Sequence, residues 1–482
     1  MEGEGLPQCG LSLLLAVHRR RREHYPHLCA STASSGESGR YSILFACPRS
    51  EIIFHRGRGI SHDGVVVRED NFLAYVVQQW RLERDIWAAY GAYGERACAG
   101  AEIPFRGGWF VYVGYELIEQ WERHLILPSP PQSLPDACAT RCAAALIYDH
   151  QRHRLWAMHE GGEDAAMSVA QMEEDVRACA CARTGGEREQ SMPLPSIHMR
   201  EDEEALYMRA FKRCIEYIYA GDVFQVNLSR LWRGLCHEDM TAADIFERLA
   251  RHNPAPFAAL ATWCHQGEQE KAGDGARIQA VISSSPERLV RVDRHGVIET
   301  RPIAGTRPRL NRDMDREKKE ELLAHPKERA EHIMLVDLER NDLSKICRAG
   351  SVSVDEMMIV ESYAHVHHIV SNVRGVLSAQ ASVAHVLEAL FPGGTITGCP
   401  KLRCMEILAE LEHGGRGPYT GSLGYVNHDG SLDMNILIRT IVCDGRELTF
   451  RAGGGIVAES VAEQELEETR AKARGMVNAV AG

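Results

Sequence analysis

The chain has 482 residues, 44% hydrophobic and 25% charged, enough to bury large cores in one big globular unit or two lobes. A formal charge of −12 and a sequence pI near 6.0 exclude the basic face of a nucleic-acid binder, so an anionic small substrate would have to be met by local Lys, Arg, helix N-termini or a metal ion. The 15 cysteines, with neither Cys138/Cys142 nor Cys179/Cys181 at zinc-ribbon spacing, read as free thiols of a reducing cytosol, and no export signal or membrane partner is expected: the apolar run 11–17 is too short to span and precedes Arg19–Arg22.

In chain order, residues 40–46 and 107–114 read as buried strands and 143–148 with 154–159 as a strand pair, with a helix over 71–93. Residues 1–160 thus read as an α+β lobe. From 161 to 198 the texture changes to a polar helix over 164–183 and the stretch Thr184-Gly-Gly-Glu-Arg-Glu-Gln-Ser, a linker or surface excursion. The remainder, 199–482, opens with an amphipathic helix over 202–220 that runs into a strand over 221–230. A helix over 241–253, a strand over 278–284 and a hairpin of 289–292 with 297–300 follow. The charged stretch 311–329 is a solvated face leading into 331–343. Strand-like runs at 364–376, 421–426, 432–442 and 448–457, then a helix from Ser460, complete the pattern. Strands that do not alternate regularly with helices predict α+β with large antiparallel sheets.

The stretch Phe391-Pro-Gly-Gly-Thr-Ile-Thr-Gly-Cys-Pro-Lys401 is a glycine-rich loop running into an amphipathic helix with Leu402, Met405, Leu408 and Leu411 at helical spacing. Gly393, Gly394 and Gly398 suit close backbone approach to a ligand, Thr395 or Thr397 can cap, and Pro400 suits a first helical position. The free N–H groups of such a helix start, with Lys401, favour a carboxylate or phosphate; a plain loop-to-helix junction is the rival reading.

Three constellations could carry chemistry. Glu331 precedes Asp337-Leu-Glu-Arg-Asn-Asp342, and Glu465, Glu468 and Lys472 share one face of the last helix, which suits Mg²⁺ or a solvated charged face. His365 and His367 would share one strand face and His368 the other, as a pocket histidine or as satisfied core residues, without further ligands for zinc. Tyr419, Arg439 and Gly453-Gly-Gly455 form the third set, in which Arg439 interrupts an apolar strand and needs an anion, either a substrate or a structural partner.

Together, Asp-Leu-x-Arg-Asn-Asp, the Phe-Pro-Gly-Gly-Thr loop, Ile438-Arg-Thr440, the glycine triplet and the terminal Glu-x-x-Glu-x-x-x-Lys resemble the chorismate-utilising enzymes. These include anthranilate synthase component I, aminodeoxychorismate synthase component I, and the isochorismate and salicylate synthases. The resemblance covers 199–482 as a chorismate-binding catalytic domain, with 1–160 more loosely similar to the N-terminal lobe of the amine-forming members. It implies large antiparallel sheets in a two-lobed sandwich with helices packed outside, chorismate as substrate and Mg²⁺ as cofactor. By motif position, Glu331 and Glu468 would ligate Mg²⁺, Glu287 would be the acid for the departing C4 hydroxyl, and His368 would lie beside the ring. Tyr419, Arg439, Gly454, Gly455 and Lys472 would hold carboxylates, and Thr395 would line the ring pocket.

Gln225 stands where the water-adding members carry a lysine base, which makes ammonia the nucleophile. Asn227, the Gly-Gly-Thr-Ile-Thr loop, residues 433–439 and Gly114-Tyr-Glu-Leu117 resemble aminodeoxychorismate synthase more than anthranilate synthase. Against this, Pro302-Ile-Ala-Gly-Thr306 places Ala304 where many aminodeoxychorismate synthases carry a nucleophilic lysine, and alanine there is the anthranilate synthase pattern. The stretch Leu28-Cys-Ala-Ser31 lacks the acid of the tryptophan-binding element of anthranilate synthases. No glutaminase nucleophile is present, so glutamine-derived ammonia would come from a separate amidotransferase subunit. The expectation is amination of chorismate at C4, with amination at C2 to anthranilate second and a non-catalytic chorismate-binding subunit third.

Overall fold

The computed structural model describes residues 10–33, 39–90, 103–184, 196–264, 278–308, 326–362 and 366–481. Among them, 21 strands join into one hydrogen-bonded sheet system with antiparallel pairings throughout. Residues 91–93, most of the charged stretch 311–329 and His365 lie outside the described residues.

The α+β expectation holds, and the packing shows why the sheets form a sandwich. Phe45, Phe110, Tyr112, Val281, Leu423 and Val442, all strand residues, bury against one another as a sheet-to-sheet core. Two further cores mix strands with helices. In one, Leu14, Phe246 and Met476 come from the helices Gly10–Arg20, Ala242–His252 and Ala462–Ala481. In the other, Phe72, Val336 and Leu387 come from Phe72–Tyr90, Pro326–Ser344 and Val383–Leu390. The helices therefore cover the outer faces. The strand Ala137–Asp149 is buried at every position, between Tyr41–His55 on one edge and Gly108–Val113 and Arg154–His159 on the other. A strand covered on both faces needs an almost continuous apolar or small-residue run, as its sequence supplies. Its two charges are matched, Arg141 by Glu160 at 2.6 Å and Asp149 by Arg40 at 2.9 Å.

Strands from the first 160 residues enter the same sheet as later ones: His27–Ala30 pairs with Phe257–Cys264, and Gly108–Val113 with Ser422–Asn427. No described helix is long and apolar enough to cross a membrane, and the described cysteines are free thiols.

One expected strand divides. The run 432–442 forms Leu432–Asn435, paired with Arg288–Val292, and Thr440–Asp444, paired with Ile278–Ser285. Between them the backbone turns at Arg439, whose φ of 52° lies in the left-handed region that a β-strand cannot use. The intervening amides bond elsewhere, Ile436 N–H to the Glu287 carbonyl and Leu437 N–H to the Gly421 carbonyl.

The strand that organises the site is Gln225–Leu235. It pairs with Glu447–Ile456 from Leu235↔Glu447 to Val226↔Ile456, and at its start with Gly398–Cys399.

Candidate active site

Glu287 sits in the turn between Ile278–Ser285 and Arg288–Val292, and its backbone is pinned from two sides. Its N–H donates to Ser285 Oγ at 3.2 Å, and its carbonyl accepts the Ile436 N–H at 3.0 Å. The side chain is 6% exposed, and Oε1 accepts a hydrogen bond from Thr395 Oγ1 at 2.9 Å. Burial pushes the Glu287 carboxyl up to about 7, opposed by the Thr395 hydroxyl and by the charges of Arg439 and Lys472. Burial in turn pulls the Arg439 guanidinium down, with Glu287 opposing. A carboxyl poised near neutrality is in the state a general acid requires.

Thr395 belongs to a short 3-10 turn, Gly394–Ile396, held by Asn227: the Asn227 side-chain amide donates to the Thr395 carbonyl at 3.2 Å and its backbone N–H to the Thr397 carbonyl at 3.0 Å. Three expectations about this loop are corrected. Thr397 bonds the Gly393 carbonyl, and neither threonine caps the helix Lys401–Leu411, whose N-cap is Pro400 itself. The glycines approach protein, since a Cβ on Gly394 would overlap Leu338 and one on Gly398 the Gln225 carbonyl. Lys401 Nζ is committed to Asp342 at 2.9 Å and to the Leu390 carbonyl at 3.3 Å, so its charge is matched within the chain.

At the start of its strand, Gln225 donates from Nε2 to Glu331 Oε1 at 3.0 Å, joining Glu331 on the helix Pro326–Ser344 to the sheet. Glu468, on Ala462–Ala481, pairs with Lys472 at 2.7 Å, and Lys472 Nζ also reaches the Gly453 carbonyl at 3.0 Å. The glycine triplet alternates: a Cβ at Gly453 would press on the Tyr419 hydroxyl and one at Gly455 on the Gln225 amide, whereas one at Gly454 would meet Glu465 and Glu468. Tyr419 is buried, with the Arg416 guanidinium 5.4 Å from its ring centre, and burial pushes its phenol up to about 12. His368, buried on Val366–Val376, is opposite Thr306 and Glu361, while Ala304 faces Ile369 across the same pairing. Thus Glu287 is brought together with Thr395, Arg439 and Lys472, Gln225 with Glu331, and Glu468 with Lys472.

The sequence reading missed several charged residues around these. Glu339 is buried on the Glu331 helix. Burial pushes its carboxyl up to about 8, with Asp342 and Glu287 adding to the rise and Lys401 and Thr300 opposing it. Glu412, Arg416 and Arg451 form a buried ion cluster: Arg416 Nη2 and Nε lie 2.7 and 2.9 Å from the Glu412 carboxylate, which Ser229 and Arg451 also contact. The available signal was the i, i+4 spacing of Glu412 and Arg416 across the helix end.

As to a metal, among the described residues no three His, Cys, Asp or Glu side chains cluster. Glu331 and Glu468 are carboxylates on two helices, Pro326–Ser344 and Ala462–Ala481, and oxygen donors of this kind suit Mg²⁺ completed by water and substrate rather than zinc.

Over residues 49–478 the sequence matches the chorismate binding enzyme family. Among similar proteins, an anthranilate synthase component I-like protein of Synechocystis is 38% identical over 381 residues, covering 79% of this chain and 74% of that one. Aminodeoxychorismate synthase component 1 of Bacillus subtilis is 38% identical over 387 residues, covering 79% and 78%. Anthranilate synthase component 1 of Pseudomonas putida is 36% identical over 476 residues, covering 94% and 90%. The crystal structure of anthranilate synthase component I from Streptococcus pneumoniae aligns with a TM-score of 0.74 at 29% identity, over 92% of this chain and 93% of that one. Family match, relatives and fold agree, and the chain belongs to the chorismate-utilising enzymes of the anthranilate and aminodeoxychorismate synthase family.

Proposed function

We propose that the chain is an aminodeoxychorismate synthase component I, which replaces the C4 hydroxyl of chorismate with ammonia to give 4-amino-4-deoxychorismate for p-aminobenzoate and folate. The observation that carries this reading is the buried Glu287–Thr395 contact. Glu287, protonated near neutral pH, gives its proton to the departing hydroxyl. The carboxylate left behind is then held by the Thr395 hydroxyl and the charges of Arg439 and Lys472. Gln225 offers no base to activate water, so the nucleophile is ammonia. Tyr419, Arg439, Gly454, Gly455 and Lys472 meet the substrate carboxylates, and His368 lies beside the ring. Glu331 and Glu468 would hold Mg²⁺, which when bound neutralises substrate carboxylate charge. The contact of Asn227 with the Thr395 turn supports C4, because the C4 signature residues act there as one unit. The partner is a glutamine amidotransferase subunit supplying ammonia, in keeping with the component 1 names of the relatives, and a reducing cytoplasm suits the thiols.

A second reading, anthranilate synthase, is favoured by Ala304 and by the several relatives of that name. Incubation of the pure chain with chorismate, Mg²⁺ and ammonium separates the readings. A product that a separate aminodeoxychorismate lyase converts to p-aminobenzoate is expected. Fluorescent anthranilate without any lyase would overturn the C4 reading, and chorismate left unconsumed at every ammonium level would favour a non-catalytic chorismate-binding subunit.

A further inference from the structure

Gln225 occupies a singular place. Its backbone is fixed by pairing with Cys399 and by the Cys404 thiol, which donates to its carbonyl at 3.0 Å. Its side chain is 4% exposed, and the nitrogen end bonds Glu331, 106 residues away in sequence. An ionised carboxylate only accepts hydrogen bonds, so the amide nitrogen must face Glu331 and the oxygen must face away; that oxygen is buried without a hydrogen-bond partner among the described residues. A buried amide with one end unmatched is a poor filler compared with an apolar side chain of the same length. The space for it exists only because position 455 is glycine, since a Cβ there would overlap Nε2. Backbone, neighbouring strand and amide are thus all arranged about one contact, the one with Glu331.

We propose that Gln225 is a positioning residue for Glu331: its amide N–H holds that carboxylate in the orientation that receives a divalent cation, and ties it to the start of the Gln225–Leu235 strand. This rests on the reading of Glu331 as a metal ligand. Partners that orient a ligating carboxylate typically change metal affinity about 10–100-fold when removed, with no contact of their own to the metal. A residue that merely packed would alter stability and leave metal affinity alone.

The test is Mn²⁺ binding to the full chain without chorismate, followed by electron paramagnetic resonance. Gln225→Met keeps length and loses the donor; Gly455→Ala leaves Gln225 in place and displaces its amide. Each should bind Mn²⁺ about 10–100-fold more weakly, and the double variant should be no worse than the weaker single, because both break one contact. Should Gln225→Met fail to fold, Gly455→Ala carries the test alone. Parental Mn²⁺ affinity in the variants, with the parent binding normally, would overturn the positioning role. A parent chain that binds no Mn²⁺ would instead overturn the metal reading of Glu331, and the proposal with it.

Discussion

Glu287 and Glu412 are both buried carboxylates near arginines, 6% and 8% exposed, yet the protein treats them in opposite ways. Glu412 is saturated: Ser229 gives it both N–H and hydroxyl, Arg416 a two-pronged guanidinium and Arg451 a further contact at 3.5 Å, so its carboxyl lies below the usual range despite burial. Glu287 has the Thr395 hydroxyl and two more distant cations, and burial prevails. The difference teaches that burial alone does not keep a carboxyl protonated; burial with thin compensation does, and that is the state the proposed acid needs. Glu412 instead holds the framework, since Arg416 also reaches the Ile396 and Asn227 carbonyls on either side of the Thr395 turn.

The sharpest way to break this comparison is to neutralise each carboxylate in turn. Glu287→Gln should lower kcat by about 10²–10⁴-fold, the usual worth of a positioned acid, with no loss of melting temperature. Glu412→Gln should do the reverse, leaving buried guanidinium charge unmatched at about 3–5 kcal/mol of stability, read by denaturant unfolding.

Stability should also respond to pH with opposite slopes at the two residues. Glu287 is raised from 4.5 to about 7 on folding, so its stabilisation is present below pH 4.5 and is lost as pH rises through about 7; Glu339, raised to about 8, adds to the same slope. Glu412 is lowered on folding, so its stabilisation is present above 4.5 and lost as pH falls. In unfolding measured from pH 5 to 8, Glu287→Gln should flatten the alkaline loss and leave the acid limb alone; an unchanged alkaline limb would contradict the assignment. The smallest effect belongs to Ser229→Ala, which removes the hydroxyl's bond of 2.7 Å to Glu412 and the one of 2.9 Å it accepts from Arg451, and should cost about 1–2 kcal/mol with no change in kcat.

The sequence made the elements legible where a local pattern was strong. The helix Glu204–Tyr219 buries Tyr207, Ala210, Phe211 and Cys214 at helical spacing, and the hairpin of Arg288–Val292 with Val297–Thr300 forms where alternation and turn residues place it. It was misleading at 432–442, because the apolar residues continue through a break imposed by the left-handed backbone of Arg439. At the site, Glu287 was marked by motif, but its Thr395 partner lies 108 residues away in sequence, so the grip on the acid is a tertiary fact. Lys401 and Asp342 illustrate the converse: each was conspicuous in its own motif, as an anion attractor and as part of an acidic helix, and the fold brings them together at 2.9 Å. Ala304 has no nucleophilic group, and its place opposite Ile369 adds nothing on whether C2 or C4 reacts.

The central claim is that Glu287 holds a proton near neutral pH. Difference infrared spectroscopy of the parent against Glu287→Gln, scanned in pH, isolates the protonated carboxyl band of this one residue. The band should titrate near the pH of about 7 that burial dictates; a band already lost by the ordinary carboxylate value of 4.5 would contradict it.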